Sequence, residues 1–142
     1  MPSKDLYHDT VKAALVREGW RILAENYALT LGGDRLYVDL AAEKPLALER
    51  DNEKILVEVK SFLAKSFFFE LERAVGQYVI YRDILEERDL DFKLYLAVPL
   101  DTYNQGFQRQ LADTIIRRNQ IKLLVFDPIE EAVVTWIDNP NR

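Results

Sequence analysis

The segment Ile55–Lys60 restricts the possible fold more than any other part of this chain. It is rich in β-branched residues and alternates in character, which indicates a β-strand. Next, Phe67–Glu87 has the apolar spacing of a long helix, and Lys93–Val98 is a nearly continuous apolar run closed by Pro99, typical of an interior strand. A strand, a helix and an interior strand in this order predict a crossover connection within one sheet.

Further elements are predicted on both sides of this unit. The segment Ala47–Arg50 is a candidate to pair with the strand that follows it. We expect one α/β (α+β) domain over residues 1–142, with a mixed central sheet flanked by helices, in the order helix, three strands, helix, strand, helix, two strands. The other predicted elements are helices over Asp5–Glu18 and Tyr103–Arg118 and strands over Arg21–Thr30, Arg35–Leu40, Ile121–Phe126 and Ala132–Ile137.

Composition excludes several classes of protein. The chain has no cysteine, so a disulfide scaffold and a cysteine-ligated zinc site are both excluded. Its first residues lack the order of a secretory signal, and no apolar run approaches membrane-spanning length, so we expect a cytoplasmic protein with no membrane contact.

The net charge of −5 argues against a protein that coats nucleic acid, because such binding depends on lysine and arginine. It is compatible with an enzyme that handles a single phosphodiester, since an acidic metal site is itself negatively charged. A partner subunit, either a companion protein or a second copy in a homo-oligomer, could also supply the missing basic surface.

Two carboxylates occupy similar positions in neighbouring predicted strands. In the Ile55–Lys60 strand, alternation places Glu58 and Lys60 on the face opposite Val57. In the strand Arg35–Leu40, it places Asp39 with Tyr37, opposite an apolar face of Leu36, Val38 and Leu40. If the two strands are neighbours, Asp39 and Glu58 converge and Lys60 lies on the same face.

Such a pair of carboxylates favours a hard divalent cation, Mg²⁺ or Mn²⁺. Asp39, Glu58 and the backbone carbonyl of Val59 are the expected ligands, and Lys60 would hold the attacking water or a phosphate. The alternative is that Glu58 and Lys60 form a cross-strand ion pair on a solvated face, as such patterns commonly do.

Gln77 and Tyr81 are four residues apart and therefore share one face of the long helix. Their amide and hydroxyl could brace Glu58 and Lys60 or contact a nucleic-acid backbone. Alternatively, Tyr81 is a core aromatic residue with its hydroxyl at the rim, and Gln77 faces solvent.

Together, Asp39, Glu58-Val59-Lys60 and Gln77…Tyr81 resemble the core motifs of the PD-(D/E)xK nuclease superfamily, in the branch with a Q-x-x-x-Y helix. Val38 departs from the pattern, because a proline often precedes the aspartate. The resemblance implies a restriction-endonuclease-like fold, with Asp39, Glu58, Lys60, Gln77 and Tyr81 in the catalytic site.

A second resemblance extends over essentially the whole chain and is to the XisH family, known as fdxN element excision controlling factors of cyanobacteria. It implies that the protein acts with a companion, XisI, in the excision of a DNA element by a separate site-specific recombinase. It does not imply a particular reaction. The segments that carry it are Lys4–His8, Glu18–Trp20, Arg35–Leu40, Val57–Phe62, Gly76–Tyr78 and Leu94–Pro99.

Other residues have weaker claims to a function. His8, the sole histidine, is expected to be a packed or rim residue. Nuclease relatives often bring an acidic residue from the first helix to the metal, which makes Asp5, Asp9 and Glu18 candidates, with Asp9 preferred. Further candidates are Glu49 as an alternative ligand, and Lys65, Arg73 and Arg35 as phosphate contacts.

Two functions remain open on this basis. One is metal-dependent cleavage of DNA at the Asp39–Glu58–Lys60 site. The other is a non-catalytic factor that uses a nuclease fold to bind a partner protein or DNA and so controls the recombinase.

Overall fold

The computed structural model describes residues 4–45 and 52–138. The segment Ala47–Arg50, which includes Glu49, lies outside the described residues. The helices are α1 (His8–Arg17), α2 (Phe67–Glu87), α3 (Leu100–Gln105) and α4 (Gln110–Arg118), with a 3-10 turn over Gly106–Gln108. The strands are β1 (Arg21–Leu31), β2 (Asp34–Lys44), β3 (Glu53–Val59), β4 (Lys93–Pro99), β5 (Leu123–Asp127) and β6 (Ala132–Ile137).

The strands form one mixed sheet whose spatial order is their order in the chain. Strands β1, β2 and β3 make an antiparallel meander. Strand β4 is parallel to both β3 and β5, and β6 is antiparallel to β5. The predicted mixed sheet and the crossover through α2 are therefore confirmed.

Helix α2 covers one face of the sheet and has the predicted bounds. It begins after Ser66, whose hydroxyl accepts a hydrogen bond from the backbone N–H of Phe69 at 3.2 Å, a normal N-cap. Its buried side chains pack against a sheet face that includes Leu56 and Leu96. Burial of each large apolar side chain stabilises the fold by about 1.5–3 kcal/mol.

Helix α1 covers the opposite face. Its residues Val11 and Leu15 belong to a second core cluster that contains Ile55, Val57 and Val59 of β3. The centre of this strand is thus buried on both sides, so Glu58 is buried rather than on a solvated face.

Strand β2 differs from the predicted alternation. Val38 packs in the cluster under α2, Leu40 packs in the cluster under α1, and Leu36 is 39% exposed. The predicted common apolar face is therefore wrong. The change of face occurs at Asp39. Strand β1 is distorted opposite this residue, because Asn26 has a left-handed φ of 53°. Asn26 lies between the two β1 residues that pair with Leu40 and Val38.

The predicted continuous helix over residues 103–118 is also wrong, because it is broken at Gly106. The ring of Phe67 packs so closely there that a Cβ on Gly106 would lie 2.4 Å from it. Arg109 is extended, with ψ of 141°, and a separate helix follows. The first helix begins at His8 rather than Asp5. Over the described residues, no helix combines the length and apolar character needed to cross a membrane.

Candidate functional site

Asp39 and Glu58 meet where the regular pairing of β2 with β3 ends, at Leu40 and Val57. Beyond that pair, carboxylate oxygens take the place of backbone carbonyls as hydrogen-bond acceptors between the two strands. The N–H of Val59 donates to Asp39 Oδ2 at 2.7 Å, and the N–H of Asp39 donates to Glu58 Oε1 at 3.3 Å. Each carboxylate thus satisfies a backbone donor of the neighbouring strand, and the two groups are held side by side.

Burial makes this pair electrostatically unfavourable in the ionised form. Asp39 is 9% exposed and Glu58 is 7% exposed. Burial, followed by the charge of Asp39, raises the pKa of Glu58 to about 8, although Lys60 opposes the shift. Burial also raises the pKa of Asp39, against the hydrogen bond from Val59. Near neutral pH the pair therefore retains a proton or needs a cation.

Lys60 lies beside the pair without neutralising it fully. Its Nζ is 3.7 Å from Glu58 Oε2, which is too long for a hydrogen bond. Its side chain is only 19% exposed, and its backbone N–H donates to the carbonyl of Ala97 at 3.0 Å. The ammonium group is thus held at the edge of the site, where it can reach a bound anion.

These groups line a cleft of about 230 Å³. Its acidic residues outnumber its basic ones by one, and its mixed charge can hold both a cation and a phosphate. Sequence reasoning had not proposed Glu70 or Lys4, which enter the cleft through tertiary packing. The lining residues are Lys4, Asp5, Asp39, Glu58, Val59, Lys60, Ser61, Glu70 and Arg73.

Asp5, rather than the preferred Asp9, is the acidic residue near α1 that lines this cleft. Its Oδ2 accepts a hydrogen bond from the backbone N–H of Ser61 at 3.0 Å, and its Oδ1 accepts one from Tyr7 at 2.9 Å. The Asp9 side chain is 74% exposed and pairs with Lys4. The third candidate, Glu18, accepts a hydrogen bond from the indole of Trp136 instead.

Tyr81 and Gln77 are not among the lining residues of the cleft. The Tyr81 hydroxyl donates to the backbone carbonyl of Tyr37 at 3.1 Å, two residues before Asp39. Burial first, and then the charges of Glu58 and Asp39, raise the pKa of Tyr81. Gln77 is half-buried, and its Oε1 has no hydrogen-bond partner within residues 4–45 and 52–138. Tyr81 therefore braces the strand that carries Asp39, rather than Glu58 or Lys60.

His8 approaches Asp39 from the α1 side. It is completely buried, rather than at the rim. Its Nε2 is hydrogen-bonded to Glu25 Oε1 at 2.8 Å. Its Nδ1 lies 3.7 Å from Asp39 Oδ1 and has no hydrogen-bond partner in the part of the chain that the structure describes. Lys12 donates to the other oxygen of Glu25 at 2.9 Å. The hydrogen bonds from Lys12 and His8 lower the pKa of Glu25 to about 2, so Glu25 is ionised.

One group of three possible metal ligands lies outside the cleft. Among the described residues, it is His8, Asp9 and Glu25 that each place one ligand atom within 4.8 Å of the other two, whereas the cleft offers the pair Asp39 and Glu58. Both carboxylates are already paired, Asp9 with Lys4 and Glu25 with Lys12. A cation there would compete with two lysines, whereas the buried pair has one lysine beside it, Lys60.

The donor set of the cleft fits a hard divalent cation. Asp39 Oδ1 and Glu58 Oε2 are the carboxylate oxygens that do not accept the backbone hydrogen bonds between β2 and β3. Val59 lines the same cleft and can offer its carbonyl. Oxygen ligands of this kind suit Mg²⁺ and Mn²⁺. Asp39, Glu58 and Val59 would hold the ion.

The other basic and aromatic candidates differ in whether they line the cleft. Arg73 lines the cleft, whereas Lys65 and Arg35 are not among its lining residues. Phe67 and Phe68 pack against the core under α2, and Phe69 is 56% exposed beside Arg73, whose guanidinium lies 5.8 Å from its ring centre.

Comparison with known families identifies the chain. The family described as XisH protein matches residues 1–134. The chain belongs to the XisH family. This finding confirms the family resemblance seen in the sequence, and it leaves the superfamily placement and the chemistry of the cleft to be argued from the residues.

Two solved structures are similar to it over nearly their whole length. One is an XisH family protein from Nostoc punctiforme PCC 73102, and the other is an fdxN element excision controlling factor protein from Anabaena variabilis. Each is 41% identical to this chain, with a TM-score of 0.84, and the match covers 94% of this chain and 99% of the other. A comparison with curated proteins finds no match.

Proposed function

We propose that this XisH protein is a metal-dependent endonuclease of the PD-(D/E)xK, restriction-endonuclease-like type, which cleaves a DNA phosphodiester in the control of DNA element excision. The observation that carries the proposal is the convergence of two buried carboxylates, Asp39 and Glu58, with Lys60 in one cleft. The role in excision is taken from the name of the Anabaena relative.

The residues of the cleft have separable tasks in this reaction. Asp39 Oδ1, Glu58 Oε2 and the Val59 carbonyl would hold Mg²⁺ or Mn²⁺. When bound, such an ion acidifies water and neutralises charge on a phosphoryl oxygen. Lys60 orients the attacking water or the scissile phosphate through its ammonium group. Tyr81 keeps Asp39 in position through its hydrogen bond to Tyr37.

The charge of the cleft supports a phosphate ligand only when a cation is present. Asp5, Asp39, Glu58 and Glu70 face Lys4, Lys60 and Arg73, so an empty cleft would repel DNA. The net charge of −5 has the same effect over the whole chain. We therefore include in the proposal an XisI-like companion or a second copy of this chain that supplies basic surface, with the recombinase acting on the same DNA element.

The test is a cleavage assay on supercoiled, linear and branched DNA with Mg²⁺ or Mn²⁺, with and without the companion. We expect metal-dependent nicking that falls by about 100-fold or more in Asp39→Asn, Glu58→Gln and Lys60→Ala. The two amide variants retain an oxygen that can accept the backbone hydrogen bonds between β2 and β3. A loss of activity in these two variants would therefore result from the missing carboxylate charge rather than from misfolding.

The chain offers a matched control in Glu43. This residue is also a buried carboxylate of β2, 7% exposed, but it pairs with Arg21 and Asn52 outside the cleft. Glu43→Gln should cleave as the wild type does. Intact DNA in every form, with both metals and with the companion, would refute the proposal.

A second function, a non-catalytic interaction factor, is favoured by a specific observation. Asp39 and Glu58 already accept backbone hydrogen bonds that hold β2 and β3 together, so they have a structural role without any metal. In this case Asp39→Asn would leave excision by the recombinase unchanged in a reconstituted assay. Loss of excision in Asp39→Asn with normal folding would exclude this function.

A further inference from the structure

Among the described residues, His8 is a buried polar side chain that the proposed cleavage reaction does not use. It is 0% exposed, and its Nδ1 has no hydrogen-bond partner among the described residues. A buried polar atom without a partner lowers stability. An unpartnered nitrogen in this position therefore calls for a ligand.

The outer nitrogen of His8 is fixed by a short chain of polar contacts. Nε2 lies 2.8 Å from Glu25 Oε1, and Glu25 Oε2 accepts a hydrogen bond from Lys12 at 2.9 Å. Because the ionised Glu25 can only accept, Nε2 carries the hydrogen, and in the neutral imidazole Nδ1 has a free lone pair. A carboxylate that holds one ring nitrogen while the other binds a metal is the usual arrangement around ligating histidines.

The inner nitrogen faces an oxygen of the proposed metal site. Nδ1 lies 3.7 Å from Asp39 Oδ1, which is too far for a hydrogen bond. Two ligands of one ion, each at about 2.1 Å from it, can be separated by up to about 4.2 Å. The two atoms are therefore at a separation that one ion can bridge.

We propose that His8 Nδ1 is a ligand of the ion held by Asp39, and that this nitrogen makes the site prefer Mn²⁺ to Mg²⁺. Imidazole suits transition metals, whereas Mg²⁺ takes oxygen ligands almost exclusively. The inference rests on the proposed function, because it adds a nitrogen ligand beside Asp39, one of the proposed metal ligands. Glu25 is then a positioning residue that orients the ring.

The outer group of His8, Asp9 and Glu25 is a weaker location for the ion. There, Nε2 is already occupied by Glu25, and the two carboxylates pair with Lys4 and Lys12. On the inner side, Nδ1 and Asp39 Oδ1 share no hydrogen bond. The inner position has one lysine beside it, Lys60 at 3.7 Å from Glu58 Oε2, whereas the outer one has two.

Electron spin-echo modulation of bound Mn²⁺ tests the inference directly on the tag-free wild-type protein. Nitrogen-14 of a coordinated imidazole modulates the echo, and His8 is the sole histidine of the chain, so the signal is unambiguous. We expect ¹⁴N modulation that changes to the ¹⁵N pattern when the protein is labelled with ¹⁵N-histidine. Titration should also show a preference for Mn²⁺ over Mg²⁺ of about tenfold or more.

Two variants locate the ion. Asp39→Asn should lose bound Mn²⁺ and the nitrogen modulation together. Glu25→Gln should weaken Mn²⁺ binding by about 10–100-fold, as is typical when the partner of a ligating histidine is changed. The labelled wild type needs no substitution at the buried His8, so the test does not depend on a variant that fails to fold.

The outcomes separate the two proposals. Mn²⁺ bound without nitrogen modulation would overturn the role of His8 and leave the proposed function standing. Nitrogen modulation that persists in Asp39→Asn would place the ion in the outer group and also overturn the inference. A wild-type protein that binds no Mn²⁺ would overturn the proposed function itself.

Discussion

Replacing Glu58 by Gln should remove a loss of folding stability that grows with pH in the metal-free protein, because the buried Glu58 carboxyl ionises as the pH rises. Burial and Asp39 raise the folded-state pKa of Glu58 from 4.5 to about 8, so the folded chain holds this proton more tightly than the unfolded chain does. The stability that this provides is fully present below pH 4.5, and it is lost as the pH rises towards 8. At about 1.4 kcal/mol for each pKa unit, the loss is on the order of 5 kcal/mol.

The assay is urea denaturation of the wild type and Glu58→Gln in EDTA at pH 5 and pH 9. A neutral glutamine keeps an acceptor for the N–H of Asp39 but carries no charge. We therefore expect similar free energies of unfolding at pH 5 and a variant that is more stable by several kcal/mol, on the order of 5, at pH 9. Adding Mn²⁺ at pH 9 should restore the free energy of unfolding of the wild type.

The control is Glu43→Gln, which removes a buried carboxylate whose pKa is lowered, first by Asn52 and then by Arg21. The difference in free energy of unfolding between Glu43→Gln and the wild type should be the same at pH 5 and pH 9, because Glu43 is ionised at both. If the difference between the wild type and Glu58→Gln were equally constant with pH, the electrostatic account of the site would be refuted.

Three further predictions follow from single contacts. Saturating Mn²⁺, at about 100 times its dissociation constant, should stabilise the wild type by about 2.7 kcal/mol and leave Asp39→Asn unchanged in thermal unfolding. Tyr81→Phe should lower the free energy of unfolding by about 1 kcal/mol, since it removes the hydrogen bond to Tyr37; no change in urea denaturation would contradict this. Gly106→Ala should destabilise by about 1–3 kcal/mol, because its Cβ would lie 2.4 Å from the ring of Phe67; an unchanged urea midpoint would show that the ring moves aside.

Local patterns in the sequence were sufficient for the elements that bury long apolar stripes. Helix α2 has both predicted ends, since Ser66 caps it and its apolar spacing persists to the last turn. The alternation within β3 also separates Leu56 from Val57 as expected, because the strand is buried on both faces. Here the local pattern and the tertiary packing agree.

The failures lie where one element is distorted by another. The alternation of β2 breaks at Asp39 beside the left-handed Asn26, which carries no signal of its own in a sequence that reads as a strand. The helix after β4 passes into a 3-10 turn at Gly106, against which Phe67 packs, and it is interrupted at the extended Arg109. Neither contact can be inferred from spacing, since both join residues that are distant in the chain.

Only the central residues of the candidate site could be predicted from the sequence. Alternation placed Asp39, Glu58 and Lys60 on adjacent strands, and the structure brings them to one cleft. Asp5 and His8 reach the same region through the packing of α1 against β1 and β3, by contacts to Ser61 and Glu25. Helical spacing alone could not distinguish Asp5 from Asp9, because this choice depends on how the segment before α1 lies on the sheet.

The most direct test of the central claim is anomalous scattering from crystals of the protein soaked in Mn²⁺. The account predicts a strong peak in the cleft, bonded to Asp39 Oδ1 and Glu58 Oε2, that is absent from crystals of Asp39→Asn. A peak only among His8, Asp9 and Glu25, or no peak in this cleft at saturating Mn²⁺, would contradict it.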